Sequence, residues 1–167
     1  DYVGCFAVTT GHGVEKKVAE FHAQHDDYSA IMLKALADRL AEAFAELMHH
    51  RVRTDLWGYA TEEILTNDQM INEEYRGIRP APGYPACPAH EVKLDLLRVI
   101  GSEDIGMTLT ESLAMNPASS VSGFYLAHPE AKYFNVGKIN ADQVEDLAKR
   151  RGQTADEVRR QLASLVD

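Results

Sequence analysis

The chain has 167 residues, 45% of them hydrophobic and 26% charged, which suits one globular domain with a real core. Its net charge of −9 argues against nonspecific binding to nucleic acid or an anionic membrane. No apolar run approaches the ~20 residues that cross a bilayer, and no signal peptide is visible.

The first segment, Asp1 to Val8, is apolar with strand character, and Gly11 and Gly13 end it. A chain that opens on a strand without Met reads as a piece of a longer polypeptide, with one sheet edge or face uncovered. Val14, Val18 and Phe21 then recur at helical spacing, and His25-Asp26-Asp27 closes that helix and offers a cap to the next. Tyr28 to Arg53 is the clearest helix. Leu33, Leu36, Leu40, Phe44 and Leu47 form its core stripe, and the opposite face carries Asp38, Glu42 and His49. Shorter helical pieces are expected around Thr61–Leu65 and Asp68–Tyr75.

The run from Arg76 to Pro88 holds four of the six prolines and two glycines, which neither a helix nor a central strand tolerates. It reads as a stiff, extended loop. A helix resumes after Pro88, with Gly101 ending it. Strands are expected at Met107–Leu113, Ser119–His128 and Lys132–Ile139, the last two joined as a hairpin through Pro129-Glu130-Ala131. Two short helices follow, since Asn140 with Gln143 and Thr154 with Glu157 have capping-box spacing. This order predicts an α+β fold, one antiparallel β-sheet with helices packed on it.

Stiff loops present fixed backbone groups to ligands at little entropic cost. Here Arg79 offers a forked donor for a carboxylate, Tyr84 a flat face with a hydroxyl, and Gly83 a close backbone approach. A zwitterion bearing an aromatic base would suit them, and a rigid surface connector is the other reading. Cys5 and Cys87 are too far apart in sequence for CxxC and read as free thiols in a reducing cytoplasm. His22 with His25, and His49 with His50, complete no metal-ligand pattern and read as solvated positions. No GxSxG, Walker or GxGxxG motif occurs, so nothing supports hydride transfer or nucleotide hydrolysis, and a small histidine-based hydrolase is disfavoured.

Arg79-Pro80-Ala81-Pro82-Gly83-Tyr84-Pro85 resembles the RxxxGY signature of the reactivation domain of cobalamin-dependent methionine synthases. Lys34 to Glu46, Leu109-Thr110-Glu111-Ser112, Ser120-Val121-Ser122-Gly123 and Asp142 to Asp146 resemble the same family, in the same order. The resemblance implies that residues 1–167 are the C-terminal half of a larger reactivation domain, whose N-terminal half supplies an aspartate to the ligand site. Ala89 departs from relatives that carry an acidic residue there.

The implied task is to bind S-adenosylmethionine and present its methyl group to oxidised cobalamin during reductive reactivation. The full enzyme would methylate homocysteine from methyltetrahydrofolate in the cytoplasm. Cobalamin would sit on another domain, and a flavodoxin-like partner would supply the electron. The resemblance assigns the ligand carboxylate to Arg79. It assigns other ligand contacts to the backbone at Ala81 and Gly83, the ring of Tyr84, and Tyr133 with Phe134. Without it, the last two would read as strand core. Glu73 lies just before the loop, where a carboxylate would favour a sulfonium, and a solvated helix residue is the other reading. Asp38 and Glu42 lie one turn apart on a face flattened by Ala35, Ala41 and Ala45, which suits close approach of another domain, and the resemblance implies that this domain is the cobalamin-binding one. Lys34, one turn before Asp38, makes a solvated ion-pair face the other reading. The alternative function is a non-catalytic protein-interaction module using the loop and this acidic face.

Overall fold

The computed structural model describes residues 2–166. Asp1, counted above in the first strand, lies outside them. Strand β1, Gly4–Thr9, buries Phe6 and Val8 on one face, as the period of two requires. Its partner, β4 (Ser120–Tyr125), runs antiparallel, with Gly4 opposite Tyr125 and Thr9 opposite Ser120. Phe6 stacks on Tyr125, ring centroids 4.6 Å apart.

Helix α1 (Val14–Ala23) leads into the 25-residue α2 (Asp27–Arg51), capped where the Ser29 amide donates to Asp26 Oδ1 at 3.0 Å. The face that α2 buries is not the leucine stripe. Ala30, Ala37, Ala41, Ala45 and His49 are buried, whereas Leu36, Leu40 and Leu47 are 54%, 60% and 54% exposed. Small side chains let the α2 backbone lie close on β1 and β4, where a row of leucines would hold it away. The resulting core joins Phe6, Val8, Ala45, Val52 and Tyr125.

A π-helical turn, Val52–Leu56, ends α2 and tucks Val52 and Arg53 inside. The helix expected around Thr61–Leu65 is replaced by turns. Here the chain doubles back so that Glu63 can grip Arg53, and the Ala60 amide donates to the Arg53 carbonyl at 2.8 Å. Helix α3 covers only Asn67–Ile71, because Glu73 adopts a left-handed backbone with φ 57°. Residues from Arg76 to Pro88 form no regular helix or strand, as their prolines dictate. Helix α4 (Val92–Ile100) ends on Gly101 at φ 65°.

Met107–Leu113 yields only β2 (Thr108–Leu109), which pairs with β3 (Met115–Asn116) in a small hairpin. Lys132–Ile139 is not a strand, and the hairpin expected between it and Ser119–His128 does not form. Both edges of β4 are already taken. Along one edge lies β1; along the other, Ile78 and Leu126 exchange two backbone bonds of 3.0 Å and Phe124 N–H donates to Pro80 O at 3.0 Å. The expected single sheet is therefore two two-stranded antiparallel sheets, within an α+β fold.

Helices α5 (Ala141–Arg151) and α6 (Ala155–Gln161) close the molecule. The Asn140 amide donates to Gln143 Oε1 at 2.8 Å, and Thr154 with Glu157 forms a full capping box. Val144, Ala148, Val158 and Leu162 enclose Ala89 in a second core. Among the described residues no helix is long and apolar enough to cross a membrane.

Candidate functional site

The proline-rich loop is pinned to the sheet at its start. Pro80 O receives the Phe124 amide, and a Cβ on Gly123 would fall 2.6 Å from that same oxygen and 2.9 Å from the Phe6 ring. Position 123 thus admits only glycine if the loop is to lie on β4. The loop then turns at Gly83, φ 97°, whose amide donates to Cys87 O at 2.7 Å. A Cβ there would meet the His90 ring at 2.3 Å. Gly83 shapes the turn, and Ala81 before it and Tyr84 after it line a cavity.

That cavity has a volume of ≈ 400 Å³, within the range of small-molecule sites. Arg79, Pro80, Ala81, Tyr84, Pro85 and Ala86 supply the loop side. Tyr133 and Phe134 form an opposing aromatic wall, Phe6 and Val121 come from the sheet, and among the described residues Glu42 and Glu73 supply the carboxylates. Of the residues singled out in the sequence, Arg79, Ala81, Tyr84, Tyr133, Phe134 and Glu73 meet here, and Gly83 does not reach the lining. Tyr133 arrives without a strand: its hydroxyl accepts from the Arg79 amide at 3.0 Å, and burial raises its pKa. Recesses of ≈ 530 and ≈ 410 Å³ elsewhere lack this combination of a buried cation, carboxylates and several exposed aromatic faces.

Arg79 is the cation of the site, and its guanidinium is held from outside the cavity. Nη2 pairs with Glu46 Oε2 at 2.7 Å, Nη1 donates to the Tyr75 hydroxyl at 2.7 Å, and His49 Nδ1 lies 3.3 Å from Nη1. His49 is fully buried, against the expectation of a solvated histidine, and stacks on Tyr125 at 5.2 Å. Burial, reinforced by the positive charges of Arg53 and Arg79, pushes its pKa down to about 3. The ring is therefore neutral, with Nδ1 accepting from Arg79 and Nε2 facing the Tyr59 hydroxyl at 3.3 Å. Deeper still, Arg53 is fully buried and grips both oxygens of Glu63 at 2.8–2.9 Å.

Sequence reading missed Glu46, His49, Tyr75 and the Arg53–Glu63 pair. One signal was present: Ala37, Ala41, Ala45 and His49 recur every fourth residue, which marks a close-packed stripe ending in a histidine.

Asp38 and Glu42, both exposed and one turn apart on α2, make different contacts. Ala41 and Ala45, expected to flatten a surface, are buried beneath the sheet. Asp38 Oδ1 accepts from Ser119 Oγ at 2.5 Å, tying α2 to the turn before β4. Glu42, one turn on, lines the cavity instead. Cys5 and Cys87 lie outside the cavity lining, and burial raises both thiol pKa values, so neither is an activated nucleophile. What remains is a cavity with one anchored cation, two carboxylates and four aromatic side chains.

Residues 1–152 match the family described as vitamin B12 dependent methionine synthase, activation domain. A solved structure, described as the crystal structure of the MetH reactivation domain bound to AdoHcy, superposes with a TM-score of 0.96 at 54% identity. The match covers 99% of this chain and 51% of that one, so the chain spans about half the length of its solved relative.

Proposed function

Because the chain belongs to the activation-domain family of vitamin B12-dependent methionine synthases, we propose that its loop cavity binds S-adenosylmethionine for the reductive methylation of cobalamin. One observation carries this reading. A single cavity joins Arg79, Glu42 and Glu73 to the aromatic faces of Tyr84, Tyr133 and Phe134. These groups complement a ligand with a carboxylate, a sulfonium and a purine. The solved relative holds AdoHcy, the demethylated form of that ligand.

Bound S-adenosylmethionine supplies an electrophilic methyl group, and this chain's part is to hold and orient it. Arg79 takes the carboxylate through charge-assisted bonds. Tyr84, Tyr133 and Phe134 offer faces for the base and keep water from one side of it. Ala81 offers its backbone, and Gly83 sets the turn that delivers Ala81 and Tyr84 to the cavity. Glu73, with Glu42 across the cavity, favours positive charge at the sulfur. No residue of the set is asked to act as an acid, base or nucleophile.

Cobalamin is assigned to another domain of the full enzyme, of which the activation domain is one part. A cytoplasmic enzyme that methylates homocysteine from methyltetrahydrofolate, reactivated with a flavodoxin-like electron donor, completes the proposal. Asp38 and Glu42, both exposed on α2, with Glu42 also lining the cavity, are the candidate contacts for the cobalamin-binding domain. The protein-interaction alternative is less well served, because a protein partner has no need of a walled recess carrying both signs of charge. Calorimetric titration with S-adenosylmethionine tests the reading. Saturable binding, competed by S-adenosylhomocysteine, is expected, and a folded protein that binds neither would overturn it.

A further inference from the structure

None of the three side chains that hold the Arg79 guanidinium lines the cavity. Glu46 and His49 come from α2, and Tyr75 from the segment just before the loop. Tyr75 is itself fixed from three sides. Its ring meets the edge of His49 with centroids 4.9 Å apart at 80°, Arg53 lies 4.0 Å from its face, and Arg79 Cζ lies 5.9 Å from its centroid. A ring clamped in this way leaves its hydroxyl one position, and that position accepts from Arg79 Nη1 at 2.7 Å.

An arginine side chain has many rotamers, and a ligand that must first order it binds more weakly. Groups outside the cavity remove that cost if they fix the guanidinium while leaving the ligand's approach open. Glu46 alone fixes one nitrogen and permits rotation about it. Contact at Nη1 stops that rotation and sets the guanidinium plane, and there the Tyr75 hydroxyl, at 2.7 Å, lies closer than His49 Nδ1, at 3.3 Å.

We propose that Tyr75 is a positioning residue: its hydroxyl on Nη1, together with Glu46 on Nη2, locks the plane of the Arg79 guanidinium so that a ligand carboxylate meets donors already aimed. The proposal rests on the reading of the cavity as an S-adenosylmethionine site and adds to it a residue that never touches the ligand.

Tyr75→Phe in the full chain is the test, since it keeps the ring and its packing and removes only the hydroxyl. S-adenosylmethionine should bind roughly tenfold more weakly. Decarboxylated S-adenosylmethionine, which gives Arg79 nothing to hold, should bind as before. In an Arg79→Ala background the added substitution should have no effect on either ligand. Equal weakening for both ligands would reduce Tyr75 to a structural role, and no weakening for either would remove it from the site. Guanidinium NMR gives a readout without ligand. Arg79 should show separate, slowly exchanging Nη–H signals in the parent and averaged signals in Tyr75→Phe. If the parent binds neither ligand, the S-adenosylmethionine reading fails, and this spectrum still decides whether Tyr75 locks Arg79.

Discussion

Two arginines lie against one tyrosine ring, and they have opposite fates. Arg53, 4.0 Å from the Tyr75 ring, is fully buried, and both oxygens of Glu63 close over it. Arg79, 5.9 Å from the same ring, is paired to Glu46 through one nitrogen and opens on the cavity. The inner pair has no room for a ligand and ties the turns after α2 to the core. The outer pair is anchored but not closed. Burial and bidentate closure make an arginine structural; one-sided anchoring leaves it able to recognise a carboxylate.

The comparison breaks most visibly at the inner pair. Arg53→Ala leaves the buried Glu63 carboxylate with only His50, 3.3 Å away, and should cost about 3–5 kcal/mol of stability, read as a lower midpoint in urea unfolding. A near-neutral result would mean that the pair is not needed for the fold.

His49 lies between the two arginines and reports on both. Its folded pKa, about 3, is below the ordinary 6.5, so between those values the unfolded chain takes up a proton that the folded protein refuses. Stability is then complete above about pH 6.5 and falls as pH drops toward 3, by up to about 1.4 kcal/mol per unit. Urea midpoints across that window should flatten in His49→Gln, and an unchanged slope would assign the acid sensitivity elsewhere.

The carboxylates of α2 sharpen the outer site. Glu42→Gln should weaken S-adenosylmethionine about tenfold, near 1.4 kcal/mol, whereas Asp38→Asn, bonded to Ser119, should leave affinity unchanged. Equal effects would return the two to a single face. Far from either arginine, Thr154→Ala removes the cap of α6 and should cost about 1 kcal/mol with no change in ligand binding.

How much of this was legible depends on the range of the interaction. Caps at Asp26, Gln143 and Thr154, the stop at Gly101 and the stiff loop are local chemistry, and all were readable. The buried side of α2 was misjudged because periodicity finds an apolar stripe without saying which of two faces meets the sheet. Alanines won by allowing close approach, which depends on the partner and not on the helix. The false hairpin after β4 has a similar cause. Residues 132–139 carry strand-like residues, but β4 had already spent both edges on β1 and on residues 78–80, segments distant in sequence. At the site, Arg79 and Tyr84 were readable from the chemistry of the loop and Tyr133 through family resemblance, and the cavity brings them together. Glu46, His49 and Tyr75 act through contacts that no linear motif encodes.

The central claim is that Arg79 is an open, ligand-facing cation held by a structural surround. Titrating S-adenosylmethionine into the parent and Arg79→Ala, with thermal unfolding of the same samples, tests it most directly. Binding should weaken by about 2–4 kcal/mol, with a thermal midpoint that scarcely moves. An unchanged dissociation constant, or a loss of affinity matched by a collapse in stability like that expected for Arg53→Ala, would contradict it.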